Sequence, residues 1–230
     1  MQQMLEAGLG LIFPDRCAGC GKVGTIWCTA CDESMARITD PVCPVCGEPV
    51  KSEGLCHRCS TSPLPFAVRS YALYQGPLVK LILQVKYRND HRLMSLLGGW
   101  LAELVRRNAW SASLVTAVPL GRRRQRERGY NQAGAIAEAL AAEIDTLYCP
   151  EALVRVRETP SQVGLDAAAR MENVRGAFQA DARHVSDRPC LIVDDLFTTG
   201  ATLHACANAL RSAGAADVRA VTVARARGRT

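Results

Sequence analysis

Residues 190–210 read CLIVDDLFTTGATLHACANAL, and this stretch decides the fold. It opens on a short apolar run, Cys190-Leu191-Ile192-Val193, whose bulk and β-branching predict a buried central strand. Two carboxylates, Asp194 and Asp195, stand at the end of that run. A tight loop of small residues follows, Thr198-Thr199-Gly200-Ala201-Thr202. Beyond it, Leu203, Cys206, Ala207 and Leu210 recur at the spacing of one helix face, and Gly214 is placed to end the helix. A strand leading through a glycine loop into a helix is the unit from which parallel α/β sheets are built.

The loop also carries chemistry. A helix N-terminus offers unpaired backbone N–H groups and partial positive charge, so it suits phosphate. Gly200 lets the backbone approach an anion and take positive φ, and the threonine hydroxyls add donors without bulk. Two acids beside a phosphate site would repel that phosphate, so they must serve hydroxyl donors, as a ribose diol provides. Side chains alternate along a strand, which predicts unequal roles for Asp194 and Asp195. A plain strand–turn–helix with acidic capping is the competing reading.

IVDDLFTTGAT (192–202) resembles the phosphoribosyl pyrophosphate (PRPP) signature of type I phosphoribosyltransferases. The resemblance implies that Asp194 and Asp195 hold the ribose hydroxyls and take part in catalysis. It implies that Thr198, Thr199, Gly200, Ala201 and Thr202 hold the 5-phosphate, and that Mg2+ accompanies PRPP. The stretch is neither a Walker loop, which needs GK[ST], nor a GxGxxG dinucleotide turn.

Working outward, the chain has 230 residues, 48% of them apolar, enough for one ordinary domain and a small one. No apolar run is long enough to span a bilayer, so no membrane insertion is expected. Residues 1–13 lack the marks of a signal peptide and predict a short amphipathic helix. Of eleven cysteines, eight form four C-x2-C pairs: Cys17/Cys20, Cys28/Cys31, Cys43/Cys46 and Cys56/Cys59. Paired thiols without a secretion signal fit zinc in a reducing cytoplasm better than disulfides. Two knuckles make one tetrahedral four-thiolate site, so eight thiols make two structural Zn2+ sites with no open coordination position. Sequential pairing is expected, with 17/20 joining 43/46 as the alternative. His57, inside the last knuckle, is expected to face solvent. Cys149, Cys190 and Cys206 sit in apolar settings and read as inert buried thiols. The expected division is 1–62 for an N-terminal helix and double zinc ribbon, and 63–230 for an α/β domain.

Between these features, Val68–Tyr74 predicts a strand, and Pro77 opens a helix through about Tyr87 with Leu78, Leu81, Ile82 and Val85 inward. Lys80 and Lys86 are read as solvent-facing. A helix over Arg92–Arg107 and a strand over Ser113–Pro119 follow. Arg122 to Arg128 hold five arginines and one glutamate, a local excess of +4 in a chain of net charge +6, and are read as a basic loop. Gly129–Ile144 predicts a helix with closely packed alanines. A weak strand near Ala152–Val156, a helix over Asp166–Glu172 and a last parallel strand at Val218–Ala224 complete the pattern. The segment beyond reads as a short basic mobile tail.

VPLGRRRQRERGYNQA (118–133) and RVRETPSQVGLDAAARMENVRGAF (155–178), with the cysteine pairs and the acid loop, are similar to the ComF family of competence-related proteins. That family joins cysteine pairs to a phosphoribosyltransferase-like domain: a parallel sheet flanked by helices. Arg122 falls where that fold meets pyrophosphate. Arg128, Asn131, Gln162, Arg170 and Asn173 match the family pattern as auxiliary site residues. The resemblance implies PRPP binding, a cytoplasmic role in DNA uptake during natural transformation, and phosphoribosyl transfer to some acceptor. A second reading is a non-catalytic nucleotide-sensing or single-stranded-DNA-binding adaptor that docks a helicase-like translocase. The zinc segment is slightly acidic by itself and makes a poor nucleic-acid clamp. With only 5% aromatic residues, scattered, no base-stacking platform is legible.

Overall fold

The computed structural model describes residues 14–160 and 166–227. The expected helix at 1–13, and Gln162, lie outside the described residues. In chain order the elements begin with α1 (Thr29–Glu33) and α2 (His57–Thr61), one in each cysteine-rich ribbon. Then come β1 (Ala67–Leu73), α3 (Pro77–Gln84), α4 (His91–Arg107) and β2 (Leu114–Ala117). They continue with α5 (Arg122–Arg128), α6 (Gln132–Glu143), β3 (Leu147–Tyr148) and β4 (Leu153–Arg155). The last are α7 (Ala167–Val174), β5 (Phe178–Ala180), α8 (Ala182–Val185), β6 (Pro189–Phe197), α9 (Ala201–Ser212) and β7 (Asp217–Arg225).

A five-stranded sheet in the order β1-β7-β6-β2-β3 forms the centre, and every pairing in it is parallel. Strand β6 is the middle strand. Its alternating side chains feed two cores, as the pleat requires. Leu191 and Val193 pack with Leu81, Leu101, Ile136 and Leu140 from α3, α4 and α6. Cys190 and Ile192 pack with Leu203, Cys206, Ala207 and Leu210 of α9. The predicted stripes of α3 and α9 are thus buried as expected, and so are Cys149, Cys190 and Cys206. Helices α4 and α6 cross closely: a Cβ on Gly98 would meet the Ala139 Cβ at 2.6 Å, so the alanine face of α6 is a packing surface. Strands β4 and β5 form a separate antiparallel pair instead of joining the main sheet.

The ribbons are built into this body. Residues 36–38 pair antiparallel with the free edge of β1 through Leu73 N–H to Ala36 O (2.8 Å) and Ile38 N–H to Tyr71 O (2.9 Å). That covers an edge which would otherwise present open backbone groups. The first ribbon also sets Trp27 edge-on against Trp100 at 5.5 Å. The second contributes Cys43, Cys46 and Cys59 to the same core as Ile192, Phe197 and Ala201.

Several elements differ from expectation. Strand β6 continues to Phe197, so both acids lie within it. Helix α3 stops at Gln84, before the expected Tyr87. The basic stretch 122–128 is a helix, not a loop: Arg, Gln and Glu are strong helix formers, Gly129 closes it in the left-handed conformation (φ 78°), and Arg123 pairs with Glu127 at 3.6 Å. Helix α6 therefore starts at Gln132, with Asn131 as its cap. The chain after Ala224 is not all tail, since Arg225 is the last residue of β7 and only 3% exposed.

Candidate functional site

All five strands run the same way, so the segments after β1, β2 and β6 emerge at one end of the sheet. The chain leaves β2 toward β3 and leaves β6 toward β7, in opposite directions across the sheet. The crevice between the β2 and β6 ends is therefore a topological switch point, where open α/β sheets bind ligands.

The acid pair and the glycine loop meet here. Gly200 has φ 80°, in the left-handed region, and is the N-cap of α9. A side chain there would be strained and would press on Phe197 (3.0 Å to Cε2) and Leu64 (3.4 Å to Cδ1). Ala201 and Thr202 are the first residues of α9, so the predicted loop runs into the start of a helix. Thr199 Oγ1 accepts from the Ala201 N–H at 3.4 Å. Thr198 is exposed and Thr199 half-buried.

Asp194 and Asp195 are unequal, as alternation predicts. Asp195 is 6% exposed. Its Oδ2 takes a hydrogen bond from Gln132 Nε2 at 3.3 Å and faces Lys86 Nζ at 3.4 Å. Gln132 Oε1 in turn accepts from Arg128 Nη1 at 2.8 Å, and the Arg128 guanidinium lies over the Tyr87 ring at 5.8 Å. Arg128 thus reaches the acid pair through Gln132. Asp194 Oδ1 accepts the Asp195 N–H at 2.9 Å. Burial, and then the Asp195 charge, push its carboxyl well above the usual range. The same burial raises the Cys206 thiol, with Asp194 adding to the effect. The pair thus offers one carboxylate fixed by Lys86 and Gln132 and one whose ionised form is disfavoured by burial and by its neighbour.

Of the other predicted residues, Arg122 opens α5 with an exposed side chain, and its N–H donates to Glu158 Oε1 at 2.6 Å. Asn131 spends its side chain on the backbone, accepting from Ala133 N–H (3.2 Å) and donating to Val118 O (3.0 Å), so it pins α6 to the exit of β2. Asn173 donates to Pro160 O at 3.1 Å. The Arg170 Nε is buried without a partner. Among the described residues, Arg128 alone of this auxiliary set joins the acids by hydrogen bonds.

Sequence reasoning missed Lys86, Gln132, Arg58 and Arg225. Lys86 faces Asp195, not solvent, from the turn that follows α3. Arg58 and Arg225 belong to the second ribbon's contact with the loop. Arg58 Nη1 donates to Thr199 O at 3.1 Å. Arg225 donates to Cys46 O (2.7 Å) and Glu48 Oε2 (2.7 Å) and stacks on Phe197 with its guanidinium carbon 4.4 Å from the ring centre.

The thiols fall into two clusters, Cys17, Cys20, Cys28 and Cys31, and Cys43, Cys46, Cys56 and Cys59, with the sulfurs of each within 4.8 Å of one another. That is the sequential pairing, and the interleaved one is excluded by it. His57 is exposed and belongs to neither cluster. The donor chemistry fits zinc. Burial raises Cys17 and Cys43, but N–H donors from Cys20, Cys28 and Gly19, and from Cys46, Cys56 and Val45, outweigh it and bring each to about 6. Cys31 and Cys59 are pushed up by burial and then by neighbouring thiols. Four crowded thiolates repel one another, and a divalent cation resolves that repulsion.

Comparison with known proteins agrees with this geometry. The double zinc ribbon domain family matches residues 8–60, and the phosphoribosyl transferase domain family matches residues 127–230. The DNA utilization protein YhgH of Escherichia coli K12 is 33% identical over 199 residues, 84% of this chain and 87% of its own length. Competence protein F of Haemophilus influenzae is 27% identical over 221 residues, 86% of this chain and 96% of its own. Competence protein ComFC of Bacillus subtilis is 27% identical over 208 residues, covering 86% and 83%.

Proposed function

The chain belongs to the ComF family, in which a double zinc ribbon precedes a phosphoribosyltransferase domain, and from that premise we propose that it binds PRPP at the β6 end and acts in DNA utilization. The observation that carries this reading is the acid pair near the end of β6 with the left-handed Gly200 five residues on, at the start of α9. The N-terminus of α9 and the threonine hydroxyls would receive the 5-phosphate. Asp195, held by Lys86 and Gln132, would accept from one ribose hydroxyl, and Asp194 from the other.

Hard-oxygen donors and a polyanionic ligand fit Mg2+, which would neutralise pyrophosphate charge when bound with PRPP. Phosphoribosyl transfer would break the bond between the anomeric carbon and the pyrophosphate oxygen and form one to an acceptor nucleophile, which releases a proton. Arg122 and its neighbours on α5 follow β2 across the crevice and are suited to the leaving group by bidentate contacts. Calorimetric titration of PRPP with magnesium tests the reading. Wild-type protein is expected to bind, and Asp194→Ala/Asp195→Ala to lose binding; no binding by wild type would overturn it.

One observation favours an additional ligand. Arg122, Arg123, Arg124 and Arg126 are all exposed on α5. A short cationic helix of this kind suits the phosphate backbone of single-stranded DNA, and a helicase-like translocase would be the natural partner of such an adaptor.

A further inference from the structure

The second zinc ribbon reaches the backbone of the glycine loop through Arg58. It lies in α2 between the ligands Cys56 and Cys59, so a metal held by both fixes its backbone. From there the side chain crosses to a segment 141 residues away and donates from Nη1 to the Thr199 carbonyl at 3.1 Å. The guanidinium carbon sits 5.4 Å from the centre of the Phe197 ring, and Nη2 is buried without a partner.

The contact has a directional consequence. In a trans peptide the C=O and the following N–H point opposite ways. Arg58 draws the Thr199 carbonyl toward the ribbon, so the Gly200 N–H of the same peptide is turned away from the ribbon. Phe197 and Leu64 crowd Gly200, at 3.0 and 3.4 Å from a Cβ built there. The half-buried guanidinium also adds positive potential beneath a loop read as the seat of an anion.

We propose that Arg58 is a positioning residue for the phosphate loop, through which the second zinc site, and not the first, sets how well residues 198–202 hold a phosphate. The proposal rests on the PRPP reading for its ligand but not for its contact. The first ribbon serves as the control, because its Arg37 pairs with Asp32 and Tyr71 and touches no part of the loop.

The experiment measures zinc content, PRPP affinity with magnesium, and amide exchange across 198–202 for full-length wild type, Arg58→Ala, Arg58→Lys and Arg37→Ala. With two zinc ions retained, Arg58→Ala is expected to weaken PRPP about tenfold and to speed exchange at Thr199 to Thr202. Arg58→Lys is expected to recover part of both, and Arg37→Ala to match wild type. Arg58→Ala with wild-type affinity and exchange overturns the proposal, and so does an Arg37→Ala effect of equal size. If wild type binds no PRPP, the PRPP reading fails by itself and exchange alone decides: faster in Arg58→Ala supports the contact, unchanged overturns it. If Arg58→Ala loses zinc, the comparison passes to Arg58→Lys on the same two readouts.

Discussion

Replacing Arg225 by alanine should unfasten the second zinc ribbon from the sheet. The side chain is 3% exposed and donates to Cys46 O and Glu48 Oε2, each at 2.7 Å, with Cys46 Sγ at 3.5 Å and the Phe197 ring beneath it. Hydrogen bonds involving a charged group contribute about 1.5–3 kcal/mol each, and a desolvated cation over a ring about 1–2 kcal/mol. Removing one member of a fully buried pair costs about 3–5 kcal/mol, an upper bound here because the Glu48 side chain is 34% exposed. These interactions share partners and do not add, so a destabilisation of about 4 kcal/mol is expected. For a chain of this size, where 1 kcal/mol shifts Tm by roughly 2–4 °C, the midpoint should fall by about 8–16 °C. Scanning calorimetry reads that shift, and a chromogenic chelator reads the second zinc ion leaving faster. Arg225→Lys keeps the charge without the fork and should lie between. A fall under about 3 °C with unchanged zinc release would refute the reasoning.

Asp194→Asn should stabilise the protein at neutral pH while removing PRPP binding. The native carboxyl is raised, so between the ordinary carboxylate range and its own pKa the native state binds more protons than the unfolded chain. Asp194 therefore opposes folding increasingly as pH rises through that window, and the advantage of the amide should close on acidification. Denaturant titrations across pH check this, and a pH-independent gain counts against it. Cys20→Ser should cost one zinc ion of two, because each cluster is complete in itself; loss of both, by metal analysis, would contradict independent sites. Replacing Arg123, Arg124 and Arg126 together by alanine should flatten the salt dependence of single-stranded DNA binding, by ~0.7 in log–log slope for each phosphate that is no longer neutralised. An unchanged slope would place the DNA path elsewhere.

The acid loop was legible because its signals are local: a strand run, a glycine with positive φ and a helix stripe need no knowledge of the rest of the chain. The thiol pairs were legible for the same reason. Helix α5 was hidden because charge drew the eye from helix propensity, and Lys86 because its direction depends on where α3 ends. Gln132 lies within VPLGRRRQRERGYNQA (118–133), but its role depends on a partner 63 residues on. Arg58 and Arg225 carry no local mark at all, since a surface arginine and one buried against another ribbon look alike in sequence. Their partners, Thr199 and Cys46, are 141 and 179 residues away.

The clasp between Cys46 and Arg225 has a meaning for synthesis. Its two halves are separated by 179 residues, so they leave the ribosome far apart in time. At elongation rates of about 5–20 residues per second, roughly ten to forty seconds pass between them. During that interval the second ribbon can take its metal but has no sheet to lean on, and its apolar side, with Phe66 and Val45, stands open. The nascent chain thus carries a loaded but unsheltered metal centre until its last strand arrives. A chain truncated before β6 would stay in that state, open to metal exchange and to recognition by quality control.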